Sequence, residues 1–127
     1  MKDYSNQTVL LVEDNEMNVM IFSLILKRIG IKFLVANDGE KALELFYAKS
    51  FDLILTDIHL PKIWGDEMAK IIRKHPDKAK ATTPIIALTA SREETEITSY
   101  LEAGINKVLP KPFTEEDLKN VFNEYIG

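Results

Sequence analysis

Short, continuously apolar runs alternate with longer stretches of helical periodicity along this chain. Val9 to Val12 is an apolar run of strand length. Glu16 to Ile29 follows, with Met17, Met20, Ile21, Leu24 and Ile25 at helical spacing, and Gly30 stops it. Lys32 to Ala36 reads as a second strand. Asn37 or Asp38 then caps a helix through Ala48, with Ala42, Leu43, Leu45 and Phe46 inward. Asp52 to Thr56 predicts a third strand, apolar at consecutive positions, which signals burial on both faces. A loop with Pro61 and Gly65 leads to a helix from about Asp66 to Lys74, with Met68, Ile71 and Ile72 on one side and Pro76 ending it. Pro84 precedes a fourth strand over Ile85 to Leu88. Ser91 and Glu94 form a capping-box pattern for the next helix, which Gly104 ends. Lys107 to Leu109 is a short fifth strand. Thr114 and Asp117 repeat the cap pattern, and Leu118, Val121, Phe122, Tyr125 and Ile126 form an amphipathic stripe after it.

Five strands with intervening helices predict a single α/β domain over residues 1–127. Right-handed crossovers are nearly obligatory in parallel sheets. The expected architecture is a three-layer, doubly wound parallel (βα)5 sheet in the flavodoxin-like order 2-1-3-4-5. That order makes strands 1 and 3 neighbours at the centre of the sheet.

The polar residues that end the apolar runs then acquire meaning. Val12 leads into Glu13 and Asp14, Thr56 into Asp57, Leu88 into Thr89, and Pro110 into Lys111. In a parallel sheet these groups converge on one edge, where ligands bind in open α/β folds. Three carboxylates within a few ångströms repel one another, and a hard cation relieves them. Mg²⁺ suits oxygen ligands and keeps waters that phosphate oxygens can replace. Asp57 is the candidate nucleophile, since a carboxylate can attack a phosphoryl group and form a labile acyl phosphate. Lys111 can pair with the phosphate, and a cis Lys111–Pro112 bond would aim its amine inward. Thr89 either satisfies a strand-end backbone group or donates to a new phosphate and draws the following loop with it. Ala90 beside it is small and leaves access to Asp57.

Composition narrows the field. The net charge of −4 gives no reason to expect nucleic-acid binding or attraction to anionic membranes. There is no cysteine, which excludes a disulfide scaffold and a thiolate metal site and fits a cytoplasmic protein. Met1 to Thr8 is polar, with no signal-peptide core, and the apolar runs are too short for membrane insertion.

Taken together, Glu13-Asp14, Asp57, Pro61, Gly65, Thr89-Ala90 and Lys111-Pro112 resemble the receiver domain of two-component response regulators. Val12-Glu13-Asp14-Asn15 and Leu109-Pro110-Lys111-Pro112 look most like receivers of hybrid sensor kinases or phosphorelays. The resemblance implies that Asp57 accepts a phosphoryl group from a histidine kinase or a histidine phosphotransfer protein. It implies Mg²⁺ held by Asp14, Asp57 and the backbone carbonyl of His59, with Glu13 acting through water. Thr89 and Lys111 would bind the phosphoryl oxygens. Helix 4, strand 5 and helix 5 of such domains form the output face toward a downstream protein partner or a covalently linked domain. No turnover of an external substrate is implied.

Several residues carry two readings. The family often has an aromatic residue three positions before the lysine, but here that position is Val108. Coupling to the output face is therefore expected to be weaker or to take another route. His59 and Ser91 occupy positions that tune phosphate lifetime in the family. For His59, tuning and plain loop exposure stand level, while Ser91 reads better as a helix cap. His75 is expected at a helix end, where a cation suits the dipole, and two histidines so placed make no zinc site. Trp64 is either a partner anchor or loop packing.

Rivals on the same fold have weaker support. A flavin site would need a hydroxyl- and glycine-rich loop where Glu13-Asp14-Asn15-Glu16 stands. A nucleotide hydrolase would need a G-x-x-x-x-G-K-[ST] stretch, which is absent. An aspartate-nucleophile phosphatase would need a D-x-D after the first strand, and Asp14-Asn15-Glu16 lacks the second aspartate. A pure interaction module would not need the complete phosphorylation set.

Overall fold

The computed structural model describes residues 3–126. Five parallel strands form one sheet in the order β2-β1-β3-β4-β5. They are β1 (Thr8–Val12), β2 (Lys32–Ala36), β3 (Leu53–Asp57), β4 (Ile85–Thr89) and β5 (Lys107–Pro110). The helices among the described residues are α1 (Glu16–Ile29), α2 (Gly39–Ala48), α3 (Gly65–Arg73), the short α4 (Lys78–Ala81), α5 (Glu94–Glu102) and α6 (Glu115–Tyr125).

The central strands divide their side chains between two cores, as a period of two requires. Leu10, Val12, Ile54, Ile85 and Ala87 face α2, α3 and α5, where they meet Ala42, Phe46, Met68, Ile72 and Tyr100. Val9, Leu11, Leu53, Leu55, Ile86 and Leu88 face α1 and α6, where they meet Phe22, Leu26, Leu118, Val121 and Phe122. Consecutive apolar residues in β1, β3 and β4 thus reflect helices on both sides of the sheet.

Local chemistry sets the helix ends. Asn15 and Asp38 cap α1 and α2 with side-chain oxygens that accept the Asn18 and Lys41 N–H groups. Thr114 and Asp117 form a reciprocal capping box at α6. Gly30 closes α1 at φ 89°, in the left-handed region where glycine is favoured.

Four expectations need correction. Ser91 does not cap a helix, because α5 begins at Glu94 with Glu93 as its cap residue. The Ser91 hydroxyl instead accepts the Glu93 N–H at 3.3 Å, a local turn that competes with capping. The stripe read on α1 is mostly its outer side: Met17, Met20, Ile21 and Leu24 are exposed, Ile25 is partly buried against the core, and Phe22 and Leu26 are buried. That helix is apolar on two sides, so periodicity alone could not choose the inward one. On α3 the same holds for Ile71, which is exposed while Met68 and Ile72 are buried. Finally, Asp52 precedes β3 rather than opening it; its carboxylate accepts the Thr8 N–H at 2.8 Å. The short α4 was not expected; Asp77 caps it by accepting the Ala79 N–H.

Two close approaches position the loop after β3. Gly65 opens α3 where a Cβ would lie 2.3 Å from the Asp57 carbonyl oxygen, and its N–H bonds Ile58 O at 2.8 Å. Gly39 opens α2 where a Cβ would lie 2.2 Å from Ile63 O. Backbone contact at both points excludes any side chain.

Candidate functional site

The ends of β1, β3, β4 and β5 meet at one edge of the sheet. Register accounts for this: Val12 lies opposite Thr56, Asp57 opposite Leu88, and Thr89 opposite Pro110. Backbone bonds fix the groups just past the strands. The Glu13 N–H donates to Ala36 O at 3.0 Å, and the Lys111 N–H donates to Thr89 O at 2.8 Å. The Lys111–Pro112 peptide is cis.

Glu13, Asp14 and Asp57 each place a carboxylate oxygen within 4.8 Å of the others. The Lys111 ammonium donates to Asp57 Oδ2 and Glu13 Oε1, at 3.3 Å each. The second oxygen of Asp57 accepts the Ile58 N–H at 2.7 Å, and that of Glu13 accepts the Asn15 N–H at 3.2 Å. Exposure is graded. Glu13 is fully buried, Asp57 and Lys111 are partly covered, and Asp14 is exposed. Three carboxylates face one amine, so the cluster is under-neutralised. Hard oxygen donors this close fit a divalent cation such as Mg²⁺, and the donor set contains no sulfur or nitrogen.

Thr89 is buried at the end of β4, and its hydroxyl accepts the Ser91 N–H at 3.1 Å. This agrees with the strand-end reading, with the hydroxyl tied to the β4–α5 loop. Ala90 beside it is exposed. His59 is exposed, and its ring meets Trp64 edge-on at 4.7 Å, so Trp64 packs within its own loop. Val108 is partly buried and packs against the core cluster that contains Tyr100. Burial holds the Tyr100 phenol above its ordinary ionisation range, and the charges of Glu96, Asp66 and Asp57 add to this. His75 lies beyond α3, where its Nδ1 accepts the Asp77 N–H at 3.0 Å, and neither histidine belongs to the acidic cluster.

Phe22 was missed at the sequence level. Its ring centroid lies 5.8 Å from the Lys111 amine, so α1 supplies an aromatic wall to the lysine. Nothing in the local pattern distinguishes Phe22 from a core residue, because the contact spans most of the chain.

A family model described as the response regulator receiver domain matches residues 9–123. The chain belongs to this family. It is 39% identical over 116 residues to the sensor histidine kinase AruS of Pseudomonas aeruginosa, covering 91% of this chain and 12% of AruS. The chain spans 12% to 20% of the length of three curated relatives that it matches, so it corresponds to one segment of longer proteins. Among solved structures, the receiver domain of sensor histidine kinase PA1611 from Pseudomonas aeruginosa has a magnesium ion coordinated in its active-site cleft. It superposes with a TM-score of 0.87 at 33% identity, covering 95% of this receiver and 98% of that one. The receiver of the Saccharomyces cerevisiae response regulator Ssk1, crystallised with the histidine phosphotransfer protein Ypd1, is 30% identical with a TM-score of 0.85. That match covers 98% of this chain and 91% of the other. The receiver fold and its two-component signalling role therefore hold for this chain, and the flavin and nucleotide readings fall.

Proposed function

We propose that Asp57 is the phosphoryl acceptor of a phosphorelay receiver comprising residues 1–127. The observation that carries this reading is the Asp57 carboxylate, set within 4.8 Å of two other carboxylates and 3.3 Å from the Lys111 amine. In the reaction, an Asp57 oxygen attacks phosphorus of a phosphohistidine. The P–N bond breaks, a P–O bond forms, and the imidazole leaves. The donor is a histidine kinase or a histidine phosphotransfer protein, a class represented by Ypd1 beside the Ssk1 receiver.

Asp14, Asp57 and the His59 carbonyl would hold Mg²⁺, with Glu13 behind them. When bound there, the ion supplies positive charge against the phosphoryl oxygens. Lys111 neutralises the same oxygens from the other side, and Thr89 offers its hydroxyl to them. Thr89 can donate its O–H to a phosphoryl oxygen while its oxygen keeps accepting the Ser91 N–H, which couples the new phosphate to the β4–α5 loop. His59 and Ser91 flank the acceptor and tune how readily water reaches the acyl phosphate. The output face is α5, β5 and α6, which correspond to helix 4, strand 5 and helix 5 once the short α4 is counted. A downstream protein or linked domain reads that face in the cytoplasm. The domain catalyses its own phosphorylation and hydrolysis and turns over no external phosphate ester.

The test is acetyl phosphate with Mg²⁺, followed by intact mass. Gain of one phosphoryl group, absent in Asp57→Asn and absent with chelator, supports the reading. Labelling that persists in Asp57→Asn, or sustained release of phosphate from a small ester, overturns it.

A further inference from the structure

Among the described residues of α5, Tyr100 alone is buried. The helix is therefore anchored to the core chiefly by one aromatic ring, which lies in the cluster that Val108 packs against. The start of α5 is not fixed by a side-chain cap, since Glu93 makes no capping bond. The Tyr100 hydroxyl is loosely held as well. It donates to Glu96 Oε2, four residues earlier on the same helix, at 3.5 Å. An ordinary O–H···O bond is about 2.7–2.8 Å long.

A second acceptor stands unused beside it. Asp66, in the first turn of α3, has its Oδ1 buried without a hydrogen-bond partner, the one such side-chain atom among the described residues. Buried polar atoms are ordinarily paired, and leaving one unpaired costs free energy. The charges of Glu96, Asp66 and, more weakly, Asp57 all bear on the Tyr100 phenol. Asp66 also follows Gly65, which abuts the Asp57 backbone. On the other side, a line of hydrogen bonds leads from the acceptor site to α5. The Thr89 hydroxyl accepts the Ser91 N–H at 3.1 Å, and the Ser91 hydroxyl accepts the Glu93 N–H at 3.3 Å. A phosphoryl oxygen that draws Thr89 toward Asp57 therefore pulls on the start of α5.

We propose that Tyr100 answers this pull by moving its hydroxyl bond from Glu96, on its own helix, to Asp66 on α3. The exchange replaces a long bond within α5 by a bond between two helices, and it satisfies the unpaired Asp66 oxygen. In the phosphorylated receiver α5 is latched to α3; in the unphosphorylated one the ring holds it by packing. The latch supplies a route from the site to α5 that needs no aromatic side chain at Val108. Tyr100 touches neither phosphate nor metal in this scheme, so it is a positioning residue. This inference deepens the phosphoacceptor reading and rests on it, and its test separates the two.

The full chain with Mg²⁺, titrated with beryllofluoride as the phosphoryl mimic, is followed by NMR. In the wild type the Tyr100 ring Cζ resonance and the α5 amides are expected to move, the amides by less than those around Asp57. Tyr100→Phe keeps the ring and loses the hydroxyl, while Asp66→Ala loses the acceptor. Each is expected to cut the α5 amide shifts to roughly half or less and to leave those around Asp57 unchanged. Glu96→Ala removes the partner used without phosphate. Before any mimic is added, its α5 amides are expected to lie displaced toward the positions of the mimic-bound wild type, which a purely structural role would not produce. Wild-type α5 shifts in either Tyr100→Phe or Asp66→Ala overturn the exchange. So do Glu96→Ala amides that show no such displacement, or a wild-type α5 that stays still while Asp57 responds. A wild type with no response around Asp57, by contrast, sinks the acceptor reading itself.

Discussion

The Lys111 ammonium donates to Glu13 Oε1 at 3.3 Å, and Glu13 is fully buried. These two residues lie at opposite ends of the sequence, and their bond closes the site across β1 and β5. Among the described residues, the amine is the one side-chain cation paired with that carboxylate. Lys111→Met leaves a buried carboxylate compensated, among the described residues, by the Asn15 N–H alone. It is expected to destabilise the receiver by about 2 kcal/mol, below the full penalty for a broken buried pair because Lys111 is partly exposed. Urea unfolding at neutral pH measures this, and an unchanged midpoint would show that water already screens Glu13.

Asp57 stands in the opposite balance. It bonds Lys111 but also lies beside Glu13 and Asp14. Asp57→Asn removes two repulsions and one attraction and keeps an acceptor for the Ile58 N–H. Without metal it is expected to raise stability by on the order of 1 kcal/mol. In millimolar Mg²⁺ the gain should shrink or reverse, because the wild type then gains binding energy that the variant forgoes. Thermal melts with chelator and with Mg²⁺ decide this, and a gain that is equal in both conditions contradicts a metal site at Asp57.

Trp64 reports on the same site optically. It is half exposed, packs on His59, and precedes the Gly65 that abuts the Asp57 backbone. Millimolar Mg²⁺ is expected to change its fluorescence in the wild type and not in Asp14→Asn. A flat titration of the wild type would count against metal binding near this loop.

Val108 leaves the usual aromatic position empty, and its side chain packs into the cluster that holds Tyr100. With a beryllofluoride phosphoryl mimic, amide shifts around Asp57 and Thr89 are expected to exceed those on α5, β5 and α6. Shifts of equal size on both regions would show that coupling does not need an aromatic at this position.

Burial and neighbouring carboxylates raise the Tyr100 phenol above its unfolded value. A proton held more tightly in the folded state means that the stabilising contribution is complete below the unfolded pKa, near pH 10. It is lost as pH rises further. Tyr100→Phe should therefore flatten the alkaline limb of the stability curve above about pH 10. An identical limb in both proteins would place the titrating group elsewhere.

Much of this architecture was legible before any coordinates, for a physical reason. Apolar runs at Val9–Val12, Leu53–Leu55 and Ile85–Leu88 could be satisfied only by burial on both faces, and that requires helices on both sides of a parallel sheet. Once the strand order followed, the residues at the strand ends had to meet. Cap residues such as Asn15, Asp38 and Thr114 act within a single turn, so they too were readable locally. Ser91 misled because a hydroxyl three positions before a glutamate also satisfies a tight turn, and only the loop path chooses between them.

The chain by itself determined which groups would gather: three acids, a threonine and a lysine, each following an apolar run. Tertiary structure alone decided how they divide their bonds. Lys111 is shared between Glu13 and Asp57, Phe22 walls the amine, and backbone N–H groups bond the second carboxylate oxygens of Asp57 and Glu13. It also decided which side of α1 faces water. Both sides of that helix are apolar, and periodicity carries no information about direction. Only packing against the sheet, with Phe22 and Leu26 inward, turns Met17, Met20, Ile21 and Leu24 outward.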